Sequence, residues 1–386
     1  MSSKGKTVVF IGIVAVAIAL VLYVTLGKRT PPGANIRIGS VLILTGDFKS
    51  YGEQFRDGAK IAVDEINNSD PKAPQVEISF YDSEGNKDLA NEKLKTIKER
   101  DGTNFVVEIM GSEVGLNAID FITQNKLLVL SGVNTSTDFS SKAGPYFFRI
   151  IPSDGVASEQ LARWAIDSGY KKAAIVYSTD KWGSGLKDVL ENTYKSLGGN
   201  IVAVKDTEKK QTIFQPIVSE LKDKSPDVVF LVMYPTEAGL LLKEAKKQRI
   251  RTHFMGTDNF TGSELAQVGG DAVDGVMFVQ PSSEKNQSPP AQRLRELYQK
   301  TYGAGKEPAL FTIMGYDCVH LMVKTIREAN GDVEKSREIL ASTNYEGASG
   351  RIAFDKNHDV VVKDYTRKIY VYDGANKMAK ATDFTR

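Results

Sequence analysis

The chain has few of the residues that most often carry chemistry. It holds one cysteine, Cys318, so no disulfide forms within it, and three histidines, His253, His320 and His358, far apart in sequence. No histidine has a second His or Cys at metal-ligand spacing, which argues against a zinc site. A surplus of one charge is missing too: the net charge over 386 residues is +2, which argues against a nucleic-acid-binding protein. There is no HExxH, no GxSxG elbow and no GxGxxG after a strand; GAGKE at Gly303–Glu307 lacks the upstream glycine and the Ser/Thr of a phosphate-binding loop. Cys318 and His320 share the apolar stretch YDCVHLMV, but residues two apart on a helix face different ways, so Cys318 reads as a buried structural residue. These absences favour a binding protein over an enzyme, with no cofactor.

What charge there is divides unevenly. Residues 1–34 carry Lys4, Lys6, Lys28 and Arg29 and no acid, leaving 46 basic and 48 acidic side chains in the other 352 residues. Thr7 to Leu26 is a run of 20 uncharged residues, which as a helix spans about 30 Å, a bilayer's hydrocarbon core. Its exit, YVTLGKRTPPGA, has a basic pair and two prolines where a signal peptide carries a small-residue cleavage site. The segment is therefore expected to be an uncleaved transmembrane anchor, ahead of a cleaved signal or a buried core helix. Residues 1–34 would be anchor and linker, with the remainder outside the cytoplasm. No cysteine follows the run, so a lipid on Cys cannot serve as the tether.

Beyond Asn35, short apolar runs alternate with amphipathic stretches, the pattern of an α/β protein with mostly parallel sheets flanked by helices. IRIGSVLIL (36–44) reads as a strand, and Phe55, Ala59, Ala62, Val63 and Ile66 form one face of the helix after it. Further strands are expected at 76–81, 105–110, 127–131 and 146–150, then at 173–177, 201–204, 227–234, 253–256 and 276–279. Two runs of about five strand-helix units imply two similar lobes. The last portion, with helices near 290–302, 308–330 and 333–340 and a hairpin-like end, has too little strand for a third domain. It is expected to complete the first two: 35–150 plus about 282–364 as lobe 1, and 151–281 plus about 365–386 as lobe 2. Ligands of open α/β sheets bind outside the carboxyl ends of strands, so the residues just after strands are the ones to examine.

There the chain resembles the type 1 periplasmic binding proteins, in particular the branched-chain amino acid binding proteins of ABC transporters. The likeness runs through IRIGSVLILTGDFKSYGEQFRDGAKIAVDEIN, VVEIMGSEVGLNA, LLVLSGVNTST, AAIVYSTDKWGSGL, SPDVVFLVMYPTEAG, HFMGTD, GGDAVDGVMFV, Tyr316–Asp317 and YEGASGRIAFDKNHD. It implies a two-lobed receptor that closes over a small amino acid-like ligand and presents it to a permease. It also implies a ligand set. Ser112 matches the serine on the ligand's α-carboxylate, and Thr135 the threonine that shares that task. The Val133 backbone and the Asp258 carboxylate meet the ammonium, and Tyr51 and Tyr234 form aromatic walls. Each has a plainer reading: Ser112 as a helix cap, Thr135 and Asp258 as turn residues, the tyrosines as core. Asp258 stands where the leucine-binding members commonly have a glutamate, so its carboxylate reaches about one C–C bond less. Glu113 would repel a carboxylate and favour a cationic or amide ligand if it faces the cleft. Pointing outward, the favoured orientation, it only complements the helix dipole. Alternatives are a sensory ectodomain, a receptor for urea or short amides, an enzyme of the same architecture and a structural surface protein.

Overall fold

The computed structural model describes residues 35–384 except residues 47, 283–285, 362–363 and 376. The anchor expected in residues 1–34 lies outside the described residues; within them no helix is long and apolar enough to cross a membrane.

Five parallel strands, β1 (Ile36–Leu42), β2 (Val76–Asp82), β3 (Phe105–Ile109), β4 (Leu128–Ser131) and β5 (Phe147–Arg149), form the first sheet in the order β2-β1-β3-β4-β5. Strands β6 (Lys172–Ser178), β7 (Asn200–Thr207), β8 (Val228–Val232), β9 (His253–Gly256) and β10 (Met277–Pro281) repeat that order as β7-β6-β8-β9-β10. After the small antiparallel pair β11 (Asn344–Gly347) and β12 (Gly350–Ala353), β13 (Tyr365–Asp373) and β14 (Met378–Asp383) extend the second sheet antiparallel beyond β10. Strands β3, β4 and β8 are buried along their whole length, as strands covered on both faces must be, which is why their sequences are apolar apart from Glu108 in β3 and Ser131 at the end of β4. Strand β7 runs several residues past the expected 201–204. It is an edge strand, half exposed, so its apolar signal is shorter than its hydrogen bonding.

The helix Lys49–Ser69 buries Phe55, Ala59, Ala62 and Ile66 of its expected face, while Val63 is only partly covered. Against it packs the long helix Leu310–Glu328, in the core beneath the first sheet. A Cβ on Gly58 would stand 1.9 Å from the Thr312 carbonyl oxygen, and one on Gly315 2.1 Å from that of Phe55. Only glycine permits this approach. Cys318 is buried on this helix.

Each sheet reverses its strand order, between β1 and β3 in the first and between β6 and β8 in the second. At such a reversal the loops leaving the carboxyl ends diverge and open a crevice. The two crevices form the opposite walls of one cleft.

Candidate ligand-binding cleft

A cavity of about 260 Å³ lies between the lobes, and nearly every residue lining it follows a strand. From the first sheet come Thr45 after β1, Glu84 after β2, Met110 to Val114 after β3, and Val133 and Thr135 after β4; the second supplies Asp180 and Trp182, Lys209 and Lys210, Tyr234, Asp258 and Asn259. Tyr51, Ser112, Val133, Thr135, Tyr234 and Asp258 all line this one cavity.

Ser112 is the first residue of the short helix Ser112–Asn117, with Gly111 at the cap position and no side chain capping it, so the serine hydroxyl is not used as a helix cap. Glu113 is exposed and also lines the cavity, and its charge contributes to raising the Tyr234 pKa. The outward orientation expected for it thus holds only in part: the helix opens its N-terminus onto the cleft mouth, so a first-turn acid complements the dipole and borders the opening at once. At that exposed position water screens its charge.

Two buried acids stand at the cleft: Asp258, which lines the cavity, and Asp154, which does not line it but whose backbone N–H donates to the carbonyl of cavity-lining Thr135 at 2.8 Å. Asp258 opens the turn Asp258–Phe260, and burial pushes its carboxyl up to about 6 against hydrogen bonds from its own backbone and Thr257. Asp154, the first residue of the helix Asp154–Asp167, is 1% exposed and its Oδ2 has no hydrogen-bond partner among the described residues. Burial first, then the charge of Asp258, push it up to about 7, while neighbouring Thr135, the positive charge of Arg149 and Trp182 pull it down. Ser153 already caps this helix by accepting from the Gly155 N–H, so Asp154 is not needed as a cap. Two buried acids that feel one another are stable together only when neutralised by protons or by a cation between them.

Aromatic rings form the other wall. Tyr234 lies 4.3 Å from Phe48 and 4.9 Å from Trp182, centroid to centroid, and Tyr51 lies 5.0 Å from Phe311. The Tyr234 hydroxyl donates to Asp180 Oδ2 at 2.5 Å, and Lys209 Nζ is 3.0 Å from the same oxygen. That ammonium sits over the Tyr234 and Phe48 rings, 5.5 and 6.0 Å from their centroids. The Tyr51 hydroxyl donates to the Asn259 backbone carbonyl at 2.6 Å, from one lobe to the other. Sequence reasoning missed Asp154, Phe48, Trp182, Asp180 and Lys209. Asp154, Trp182 and Lys209 obey the same rule of position after a strand that singled out the others. Among the described residues no group of His, Cys, Asp or Glu is arranged to hold a metal ion.

Comparison with known proteins agrees with this geometry. The profile of the family described as periplasmic binding protein matches residues 35–373. A leucine-, isoleucine-, valine-, threonine- and alanine-binding protein of Pseudomonas aeruginosa is 25% identical over 336 residues, 86% of this chain and 89% of the relative. Among solved structures, a leucine binding protein LivK from Thermotoga maritima superposes with a TM-score of 0.81 at 24% identity, covering 90% of this chain and 97% of that one. A solute binding protein of an ABC transporter from R. palustris, in complex with benzoate, gives 0.79 at 16% identity, covering 91% and 96%. These relatives are binding proteins, and the chain belongs with them to the periplasmic binding protein family, as a type 1 member of the group that includes the branched-chain amino acid binding proteins.

Proposed function

We propose that the chain is the extracytoplasmic receptor of an ABC transporter, that its ligand is an amino acid with a small apolar side chain, and that the closed form is what a permease receives. The observation that carries this reading is buried Asp258 in a cavity also lined by the Ser112 and Thr135 hydroxyls and the rings of Tyr51, Tyr234 and Trp182, with a second buried acid, Asp154, adjacent to Thr135. A zwitterion answers both ends. Its ammonium would neutralise the acids together with the Val133 carbonyl, its carboxylate would take the Ser112 and Thr135 hydroxyls, and its side chain would lie against Tyr51 and Tyr234. Charged hydrogen bonds contribute about 1.5–3 kcal/mol each, so three or four account for a micromolar affinity, about −8 kcal/mol. The lobes would be 35–150 with about 282–364, and 151–281 with about 365–386, tethered by the apolar segment in residues 1–34.

The benzoate-bound neighbour, together with the rings around Tyr234, favours a second reading, an aromatic carboxylate. Benzoate has a face to stack but no cation. It would leave Asp154 and Asp258 buried beside a third acid, a cost of several kcal/mol unless protons are taken up. Isothermal titration of the purified protein with the twenty amino acids, benzoate and urea decides between them. L-Isoleucine, L-leucine or L-valine is expected to bind at about micromolar Kd. If no amino acid binds more tightly than millimolar, or if benzoate outcompetes them all, the amino acid reading is wrong.

A further inference from the structure

Glu108, on the central strand β3, breaks two rules at once. It is a fully buried acid, and it is a non-glycine residue with φ of +74°. The register explains the backbone: between Gly39↔Val106 and Val41↔Ile109, β3 carries one more residue than β1, a bulge that re-aims the side chain. A glycine would take this conformation without strain. The carboxyl is turned toward the loop after β4. Ser131 Oγ donates to both of its oxygens at 3.0 Å, the Gly132 backbone N–H donates to Oε2 at 2.7 Å, and Asn134 Nδ2 donates to Oε1 at 3.0 Å. Ser131 Oγ accepts in turn from the Asn134 backbone N–H at 3.1 Å. The carbonyls of the same loop go to a cation: buried Arg149 donates to the Asn134 oxygen at 3.3 Å and to the Ser136 oxygen at 2.7 Å, and is itself paired with Asp359 at 2.5 Å. Donors on one side and acceptors on the other are thus held from behind, and Val133 and Thr135 remain on the cavity side.

We propose that Glu108 is a positioning residue for ligand binding, which holds the loop Ser131–Ser136 so that Val133 and Thr135 meet the ligand. A buried loop must satisfy each of its polar groups, and a charged acceptor does so more strongly than water or an amide. Burial raises the carboxyl to about 7 while the Gly132 and Ser131 donors pull it down, so those donors are what favour an ionised group there. The effect on ligand rests on reading Val133 and Thr135 as ligand-facing; the effect on the loop does not.

The test compares the full chain with Glu108→Gly and Glu108→Gln at about pH 8, above the value near 7. Glu108→Gly relieves the backbone strain and removes the acceptor. Glu108→Gln keeps the volume but offers one oxygen in place of two, so its NH2 opposes either the Gly132 N–H or the Asn134 amide. Amide hydrogen exchange of the ligand-free protein should rise about tenfold or more at Gly132 and Asn134 in both variants, with β4 and the second sheet unchanged. L-Isoleucine affinity should fall about tenfold. Unchanged exchange at these amides in Glu108→Gly would overturn the proposal, as would a uniform rise across the first lobe, the sign of a residue that only stabilises the fold. If Glu108→Gly does not fold, the Glu108→Gln exchange pattern decides on the same criterion. If isoleucine fails to bind the unaltered protein, the amino acid reading falls while the exchange measurement still judges Glu108. Local exchange that rises while isoleucine affinity holds leaves a loop support without a binding role, and the proposal fails.

Discussion

Asp154 and Asp258 lose water on folding before any ligand arrives, and their carboxyls are pushed up to about 7 and about 6. An acid whose folded pKa is raised binds more protons folded than unfolded. Its protonated form costs the fold nothing below the unfolded value of about 3.9, and stability is lost as pH rises from there toward the folded value. The ligand-free protein should therefore lose stability from this pair between about pH 4 and 7, and Asp154→Asn or Asp258→Asn should recover on the order of 1–2 kcal/mol at pH 8. A ligand ammonium reverses the sign by favouring both charges, so isoleucine affinity should rise with pH over about 5 to 7, with protons released on binding. Either asparagine variant should lose about ten- to hundredfold in affinity. Calorimetric melting with and without isoleucine measures both effects; a variant that is less stable at pH 8 and binds as before contradicts the assignment. Asp154 was hidden in the sequence because an acid at a helix start is ordinarily a dipole complement, and only its burial and its unpartnered oxygen mark it as different.

The elements were more legible than the contacts between them. Apolar runs located the ten strands of the two parallel arrays, most sharply the inner ones, because strands buried on both faces have little freedom in composition, and the helical face from Phe55 to Ile66 was visible by its spacing. The sequence did not disclose that Gly58 and Gly315 face one another's helices, since a glycine within a helix has several explanations. Their approach sets how deeply Tyr51 and Phe311, on those two helices, reach the cavity wall. Gly315→Ala sets a methyl against the Phe55 carbonyl, a contact no rotamer relieves, because Ala has none to change. The expected loss is about 1–3 kcal/mol, read as a lower melting midpoint. Isoleucine should also bind more weakly, because the helix bearing Tyr51 must shift outward. Unchanged melting and binding would mean that the two helices separate without disturbing the wall.

At the scale of the molecule the two lobes meet across the cleft, among other contacts through the Tyr51 hydroxyl on the Asn259 carbonyl and the Phe48 ring against Tyr234 with Lys209 over both. If the lobes divide near residues 150, 282 and 364 as proposed, the chain crosses three times between them, and closure would be a hinge motion. Contacts that exist only when the lobes meet add their energy to the closed state alone, and ligand affinity is reduced by whatever fraction of the protein is open. Tyr51→Phe removes the inter-lobe hydrogen bond and keeps the ring on Phe311. A hydrogen bond of about 0.5–1.5 kcal/mol net moves the open–closed balance by about two- to twelvefold. Small-angle scattering of the ligand-free variant should give a larger radius of gyration than the unaltered protein, and saturating isoleucine should bring the two together. Isoleucine affinity should fall by the factor by which the closed fraction falls, mainly through faster release, because the closed state is the one that holds the ligand. A variant whose radius and release rate both match the unaltered protein would show that Tyr51 serves only as wall, and that closure is held by Phe48, Tyr234 and Lys209.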